Sequence, residues 1–214
     1  LYNAIVFLPL FNEEEKNLIL WNIPYKYGSD NMVEIFTSLN KVIKKVILTG
    51  PPGCGKTTVI IKALNEIKHE KVGFITREIR KGIKRMGFMI ETISGEKALL
   101  AHREFKSPHR IGPYGVFIEN IESLALKSIN CGNPSSVIVI DEIGKMECLS
   151  SRFREEITRI IDSDRMILAT IPVRGDQFID SIRKRDDVLV IEINRGNRDE
   201  LPKKLASLFN NIKV

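Results

Sequence analysis

The run Gly50-Pro51-Pro52-Gly53-Cys54-Gly55-Lys56-Thr57 satisfies the pattern G-x-x-x-x-G-K-[ST] at every position. It constrains the fold because such a loop works only between a strand and a helix. Its backbone N–H groups and the helix N-terminus must converge on phosphate oxygens. The flanks meet that demand. Lys45-Val46-Ile47-Leu48-Thr49 reads as a buried strand entering the loop, and residues from Thr57 to His69 read as a helix leaving it, with Ile60, Ala63, Leu64 and Ile67 on one face. The residues expected to hold a triphosphate are Gly50, Pro51, Pro52, Gly53, Cys54, Gly55, Lys56, Thr57 and Thr58. Lys56 is expected to reach the β- and γ-phosphates, and the Thr57 hydroxyl to complete the shell of a bound Mg2+. Cys54 occupies a variable loop position, its side chain is expected to point away, and it is given no catalytic role.

A chain of 214 residues is long enough for one well-buried domain, and 28% charged with 43% apolar residues is ordinary for a globular one. The net charge of +6 suits a polyphosphate substrate or nucleic acid, and equally serves solubility. There is no basic tail or low-complexity run, so no stable nucleic-acid partner is expected. Cys54, Cys131 and Cys148 are too scattered for a metal site or a disulfide framework, which points to a reducing cytoplasm. His69, His102 and His109 form no cluster with zinc-ligand spacing. The apolar stretch from Ala4 to Phe11 is too short to span a bilayer and lacks a basic leader, so neither a membrane nor a secretory route is expected. A monomer is the expectation.

Residues 1–40 read as an N-terminal extension, and 41–214 as the phosphate-loop domain. The extension holds the sole tryptophan, Trp21, together with Tyr2, Tyr25, Tyr27 and the acidic patch Glu13-Glu14-Glu15. The sequence begins at Leu1, and Met32 stands just before an amphipathic stretch from Val33 to Lys44. Two readings stand for residues 1–31: an added element packed on the domain edge, or translation upstream of a start at Met32.

After the loop, strand and helix patterns alternate, which implies a mostly parallel sheet covered on both faces. Lys71 to Thr76 and Met86 to Ile93 are candidate strands, and the Gly82-containing segment between them suggests an antiparallel hairpin. Residues 115–130 read as a helix. Ser136-Val137-Ile138-Val139-Ile140 is continuously apolar, as a central parallel strand is. Arg152 to Ile161 reads as a helix burying Phe153, Ile157, Ile160 and Ile161, and Arg165 to Thr170 and Val188 to Glu192 read as further strands. A strand is expected to separate the loop strand from the 136–140 strand.

The 136–140 strand ends in Asp141-Glu142. A carboxylate at that end, beside a phosphate loop, can hold Mg2+, so Asp141 joins Thr57 as an expected metal ligand. Glu142, at the turn, can face a water in line with the γ-phosphate and take its proton. Open α/β sheets bind ligands at such carboxyl ends.

The ordered segments then resemble one family. Asp141-Glu142-Ile143-Gly144-Lys145-Met146-Glu147 is similar to the signature of the THEP1-like nucleoside-triphosphatases, called cancer-related nucleoside-triphosphatases in animals. Also similar are Gly73-Phe74-Ile75-Thr76-Arg77-Glu78-Ile79-Arg80, Arg85-Met86-Gly87-Phe88, Gly112-Pro113-Tyr114-Gly115-Val116, Ala169-Thr170-Ile171-Pro172 and Asn197-Arg198-Asp199. The resemblance runs from about Lys45 to Leu208 and leaves residues 1–40 outside. It implies a three-layer P-loop fold and a Mg2+-dependent hydrolase acting slowly on ATP, GTP, CTP and UTP. The family's loop lysine and threonine correspond to Lys56 and Thr57, and its strand-end carboxylates to Asp141 and Glu142.

Charge spreads over the transferring phosphoryl group in the transition state, so nearby cations are useful. Arg77 is the first candidate, Lys145 the second and Arg174 the third; each has the alternative of a solvated surface charge. The segment Arg77 to Arg85 carries five basic residues against Glu78, and borders the triphosphate, contacts nucleic acid or is a solvated hairpin. Asn197 and Arg198 are expected at the nucleoside end of the site, the alternative being that Asp199 caps the last helix. Tyr114 stacks on a base or lies in the core. Water as acceptor makes the chain a hydrolase. A nucleoside or nucleotide kinase using the same loop is the alternative, and a nucleic-acid-stimulated NTPase the third class.

Overall fold

Five continuous apolar runs rich in Val and Ile form the parallel half of the sheet, as strands buried on both faces do. The computed structural model describes residues 42–213. Its chain order begins with β1 (Lys45–Thr49), the phosphate loop, α1 (Lys56–Glu66), β2 (Lys71–Lys81), β3 (Lys84–Thr92), β4 (Lys97–His102), β5 (Arg110–Ile111) and β6 (Tyr114–Val116). Then comes α2 over 118–129, whose α-helical ends Ile118–Asn120 and Leu126–Ile129 flank a π-helical stretch, Ile121–Ala125. It is followed by β7 (Val137–Asp141), a 3-10 turn (Glu147–Leu149), α3 (Ser151–Asp162), β8 (Met166–Thr170), α4 (Gln177–Arg183), β9 (Leu189–Glu192) and α5 (Leu201–Asn210). The extension expected over 1–40 lies outside the described residues. No described helix is long and apolar enough to cross a membrane.

The described strands form one sheet in the order β5-β6-β4-β3-β2-β7-β8-β1-β9. From β2 through β9 in that order neighbours run parallel. From β2 outward to β5 they run antiparallel. β8 separates β1 from β7, as expected for the loop strand and the Asp-Glu strand. Alternation along β7 explains the layers. Ile138 and Ile140 join a core with Phe153 and Ile157 of α3, Ile121 and Ile129 of α2, and Ile179 of α4. Val137 and Val139 join a second core with Ile60 and Ala63 of α1 and Leu205 and Phe209 of α5.

Several boundaries differ from the sequence reading. Helix α1 closes at Glu66, and Ile67 is already extended while still buried. The hairpin is tighter and longer than expected. β2 continues through the charged residues to Lys81, and β3 starts at Lys84 after the turn Gly82-Ile83. Gly82 has φ +60°, which a two-residue hairpin turn of this kind requires. The antiparallel part also contains β4, β5 and β6, so it exceeds one hairpin. The helix expected over 115–130 starts at Ile118, because Tyr114–Val116 pairs with β4 instead. The Phe117 N–H bonds Leu100 O (2.9 Å), which holds the chain extended up to the helix.

Phe153 is fully buried and meets Phe74 edge to face with ring centroids 6.4 Å apart. Phe153→Ala is expected to lower unfolding free energy by about 3–5 kcal/mol in chemical denaturation. A loss under about 1 kcal/mol would mean that α3 does not depend on this contact for its seat on the sheet.

Candidate functional site

The loop is shaped by glycines where other residues would not fit. Gly50 has φ +152°, and a β-carbon there would lie 2.7 Å from Cys54 Sγ and 3.0 Å from Ile193 O. Cys54 therefore tucks inward against the core beneath the loop. Gly55 is the N-cap of α1 with φ +109°, and no side chain caps the helix. Its first-turn N–H groups take no side-chain cap, an arrangement that can receive an anion. Lys56 Nζ reaches back across the loop and donates to Gly50 O (3.0 Å), so its ammonium stands over the same concavity. Pro51, Pro52 and Gly53 form an exposed crest.

Asp141 is the meeting point of three elements. Thr57 Oγ1, on α1, donates to Asp141 Oδ2 (2.6 Å), and Thr170 Oγ1, at the end of β8, donates to Asp141 Oδ1 (2.7 Å). Asp141 is 2% exposed and Thr170 0%. Burial pushes the Asp141 carboxyl above the usual carboxylate range, against the two hydroxyl bonds and the charges of Lys56 and Arg77. A buried carboxylate beside a threonine hydroxyl is a hard-oxygen donor pair. It fits Mg2+, which takes one or two carboxylates and fills its shell with substrate phosphate and water. Among the described residues no cluster of three His, Cys, Asp or Glu side chains forms an all-protein metal cage. Thr170 was assigned no role by the sequence. Its signal, a hydroxyl closing an apolar strand, gains meaning only when β8 lies beside β7.

Glu142 follows directly and is half-buried. Burial pushes its carboxyl up, Lys56 pulls it down and Asp141 pushes it up again. The Ile143 N–H bonds Thr170 O (2.8 Å), which fixes the chain just past Glu142 to β8.

The candidate cations divide. Arg77 lies two residues beyond Ile75, the register partner of Asp141 on the neighbouring strand, and its charge acts on Asp141. Its guanidinium is paired with Glu91 (2.8 Å), and Glu91 also takes Lys97 (3.1 Å). Lys145 and Arg174 are exposed. Asn197 spends its side chain on the chain itself: Nδ2 donates to Glu192 O (2.9 Å) and Oδ1 accepts from Asn194 N (3.0 Å). It thereby shapes the turn beyond β9. Arg198 is exposed, 3.6 Å from Asp199. Asp199 does not cap α5, whose N-cap is Glu200 without a side-chain bond. Tyr114 is a core residue, edge-on to Phe88 (5.3 Å) under Arg103.

Comparison with known proteins bears on this site. A family model described as NTPase matches residues 45–206. Nucleoside-triphosphatase THEP1 of Thermotoga maritima is 41% identical over 166 residues, which are 77% of this chain and 95% of that protein. The human cancer-related nucleoside-triphosphatase is 38% identical over 175 residues, covering 74% of this chain and 92% of that one. The crystal structure of THEP1 from Aquifex aeolicus superposes with a TM-score of 0.72 at 34% identity, over 78% of this chain and 99% of that one.

Thr170→Val keeps the shape and removes the hydroxyl, leaving Asp141 Oδ1 without its donor. Mg2+-dependent triphosphate binding, measured by titration calorimetry, is expected to weaken about tenfold or more, and Thr170→Ser to retain it. Equal binding by the valine variant would sever Thr170 from the site.

Proposed function

The chain belongs to the NTPase family of the THEP1 nucleoside-triphosphatases, and from that premise we propose that it hydrolyses nucleoside 5′-triphosphates to diphosphate and phosphate. Mg2+ is the cofactor, ATP, GTP, CTP and UTP all serve, and residues 41–214 are the catalytic domain. The observation that carries this reading is the seating of Glu142 directly beyond Asp141, whose carboxylate is tied to the phosphate-loop Thr57.

In this reaction the first-turn N–H groups of α1 and the Lys56 ammonium hold the β- and γ-phosphates. Thr57 and Asp141 would hold Mg2+, which when bound neutralises charge on the phosphate oxygens. Glu142 accepts a proton as a water oxygen bonds to the γ-phosphorus. The bond from that phosphorus to the bridging oxygen breaks, its electron pair stays on the diphosphate, and the proton leaves Glu142 with the products. Burial and Asp141 keep the Glu142 carboxyl above its ordinary value, which brings a carboxylate closer to the basicity a general base needs. Arg77 supplies positive charge from β2.

Broad base use is supported at the other end of the site. Asn197 has an amide edge that reads bases well, but both ends of that amide are bonded to the backbone. The exposed guanidinium of Arg198 offers charge and a flat face to any base.

Phosphate release is measured with each of the four triphosphates and Mg2+, with no acceptor present. Release from all four is expected, and Glu142→Gln should cut kcat by about 10²-fold or more while leaving Mg2+–ATP binding intact. Tight binding without release would point to a kinase lacking its acceptor. Near-parental turnover in Glu142→Gln would remove Glu142 from the base role. Arg77→Ala should lower kcat more than it raises KM; an unchanged kcat would make Arg77 a surface charge.

A further inference from the structure

Glu147 opens the 3-10 turn Glu147–Leu149 and is only 4% exposed, although it carries an ionisable carboxyl. Its side chain accepts from its own N–H and from that of Gly144. The loop after β7 is thus folded back so that the acid returns to the strand end it came from. Gly144 reveals what the acid meets there. A β-carbon on residue 144 would lie 2.9 Å from Glu147 Oε2 and 3.0 Å from Glu142 Oε1. The two carboxyl groups converge on one side of this residue, and glycine leaves them the space.

Two carboxylates brought together in a buried setting do not both ionise readily. The charged groups around Glu147 make ionisation harder still. Glu142 and Asp141 at the end of β7 both face it with negative charge. Lys56 of α1 acts on Asp141 and Glu142. On α3, the Arg154 guanidinium is engaged by Cys148 O (2.6 Å) and by Asp176 (2.8 Å), the N-cap of α4. Lys145 in the intervening loop is exposed. Burial first, then the two acids, push Glu147 up to about 8, so it keeps its proton at neutral pH.

We propose that Glu147 is the positioning residue for Glu142: as a neutral carboxylic acid it donates a hydrogen bond to the Glu142 carboxylate and holds it on the attacking water. This rests on the reading of Glu142 as the base. The Glu147 proton stays on Glu147, so the proton balance of hydrolysis is unchanged. What Glu147 supplies is orientation, through a charge-assisted bond to the Glu142 carboxylate. The sign of the pH effect follows. Below about 8 Glu147 is protonated and the pair is cooperative; as pH rises through that value it ionises, faces Glu142 with like charge and loses the bond.

The test is the kcat–pH profile of the whole protein and of two variants, with Mg2+–ATP affinity and thermal unfolding measured on the same samples. Parent kcat is expected to fall as pH rises through about 8. Glu147→Gln retains an acceptor for the Gly144 N–H and a donor for Glu142. It should keep kcat within about threefold at neutral pH and lose that alkaline fall. Glu147→Leu should cut kcat about tenfold or more with KM and Mg2+–ATP affinity unchanged. A Gln profile that still falls at the parent's midpoint, or a folded Leu variant with parental kcat, overturns the proposal. If the Leu variant does not fold, the Gln profile decides alone. Turnover that survives Glu142→Gln sinks the base assignment and this proposal with it. Turnover lost in Glu142→Gln but normal in both Glu147 variants, with the alkaline fall unchanged, sinks the Glu147 role only.

Discussion

The carboxylate of Asp141, held by one threonine hydroxyl on each oxygen, is the bond on which fold and site both turn. Thr57 comes from the helix that leaves the phosphate loop, Asp141 from β7 and Thr170 from β8. β8 lies between the loop strand and β7, so Asp141 is two strands away from β1. The gap is bridged because α1 lies over this part of the sheet, sharing a core with β1, β7 and β8, and so carries Thr57 to Asp141. A buried acid with only apolar neighbours would be costly. Here each oxygen is satisfied, and the satisfaction fixes the register of three elements. The same three residues would position a cation, so the arrangement that stabilises the site also prepares it for chemistry.

β2 performs a related task on the other side. Its first half runs parallel to β7, with Ile75 opposite Asp141, and its second half pairs only with β3. Arg77 falls just where the parallel neighbour ends. Glu91 on β3 takes the Arg77 guanidinium and is itself held by Lys97 from β4. The antiparallel strands therefore do more than enlarge the sheet. They hold a partly exposed arginine by a carboxylate at the border of the phosphate site, where a free side chain of that length would sample many rotamers.

Much of this was legible in the sequence for a simple reason. The phosphate loop and the Asp141-Glu142 pair are contiguous motifs whose meaning depends on strand–loop–helix order, and β1, β7, β8 and β9 are continuous apolar runs. α3 was legible to the residue on its buried face because Phe153, Ile157, Ile160 and Ile161 keep a strict helical period. What escaped depends on partners far away in sequence. Gly115 and Val116 fall inside the helix read over 115–130; their strand pairing with β4 is a tertiary fact. The charged second half of β2 gave no apolar alternation beyond Thr76. Thr170 was an ordinary strand end until β8 was set beside β7. Asn197 reads as a residue of the nucleoside end from its place after the last core strand; that local backbone groups claim its amide is visible only in the fold.

Electrostatics ties these residues together. Asp141, Glu142 and Glu147 are gathered at one strand end, and burial raises all three. The cations that act on the first two, Lys56 and Arg77, stand on α1 and β2 rather than among the acids. Such a site is polarised: acids on the β7 side, cations and helix N–H groups on the loop side. A bare triphosphate complements only the loop side, and a bare Mg2+ only the acid side. A Mg2+–triphosphate complex would complement both, with Thr57 and Asp141 to hold the dication and Lys56 and the α1 N-terminus to take the phosphate oxygens. Glu147 differs from the other two acids in this scheme. Its acidic neighbours Asp141 and Glu142 add to the effect of burial in raising its carboxyl, so in the proposed role it brings a hydrogen-bond donor to the acid side rather than a third negative charge.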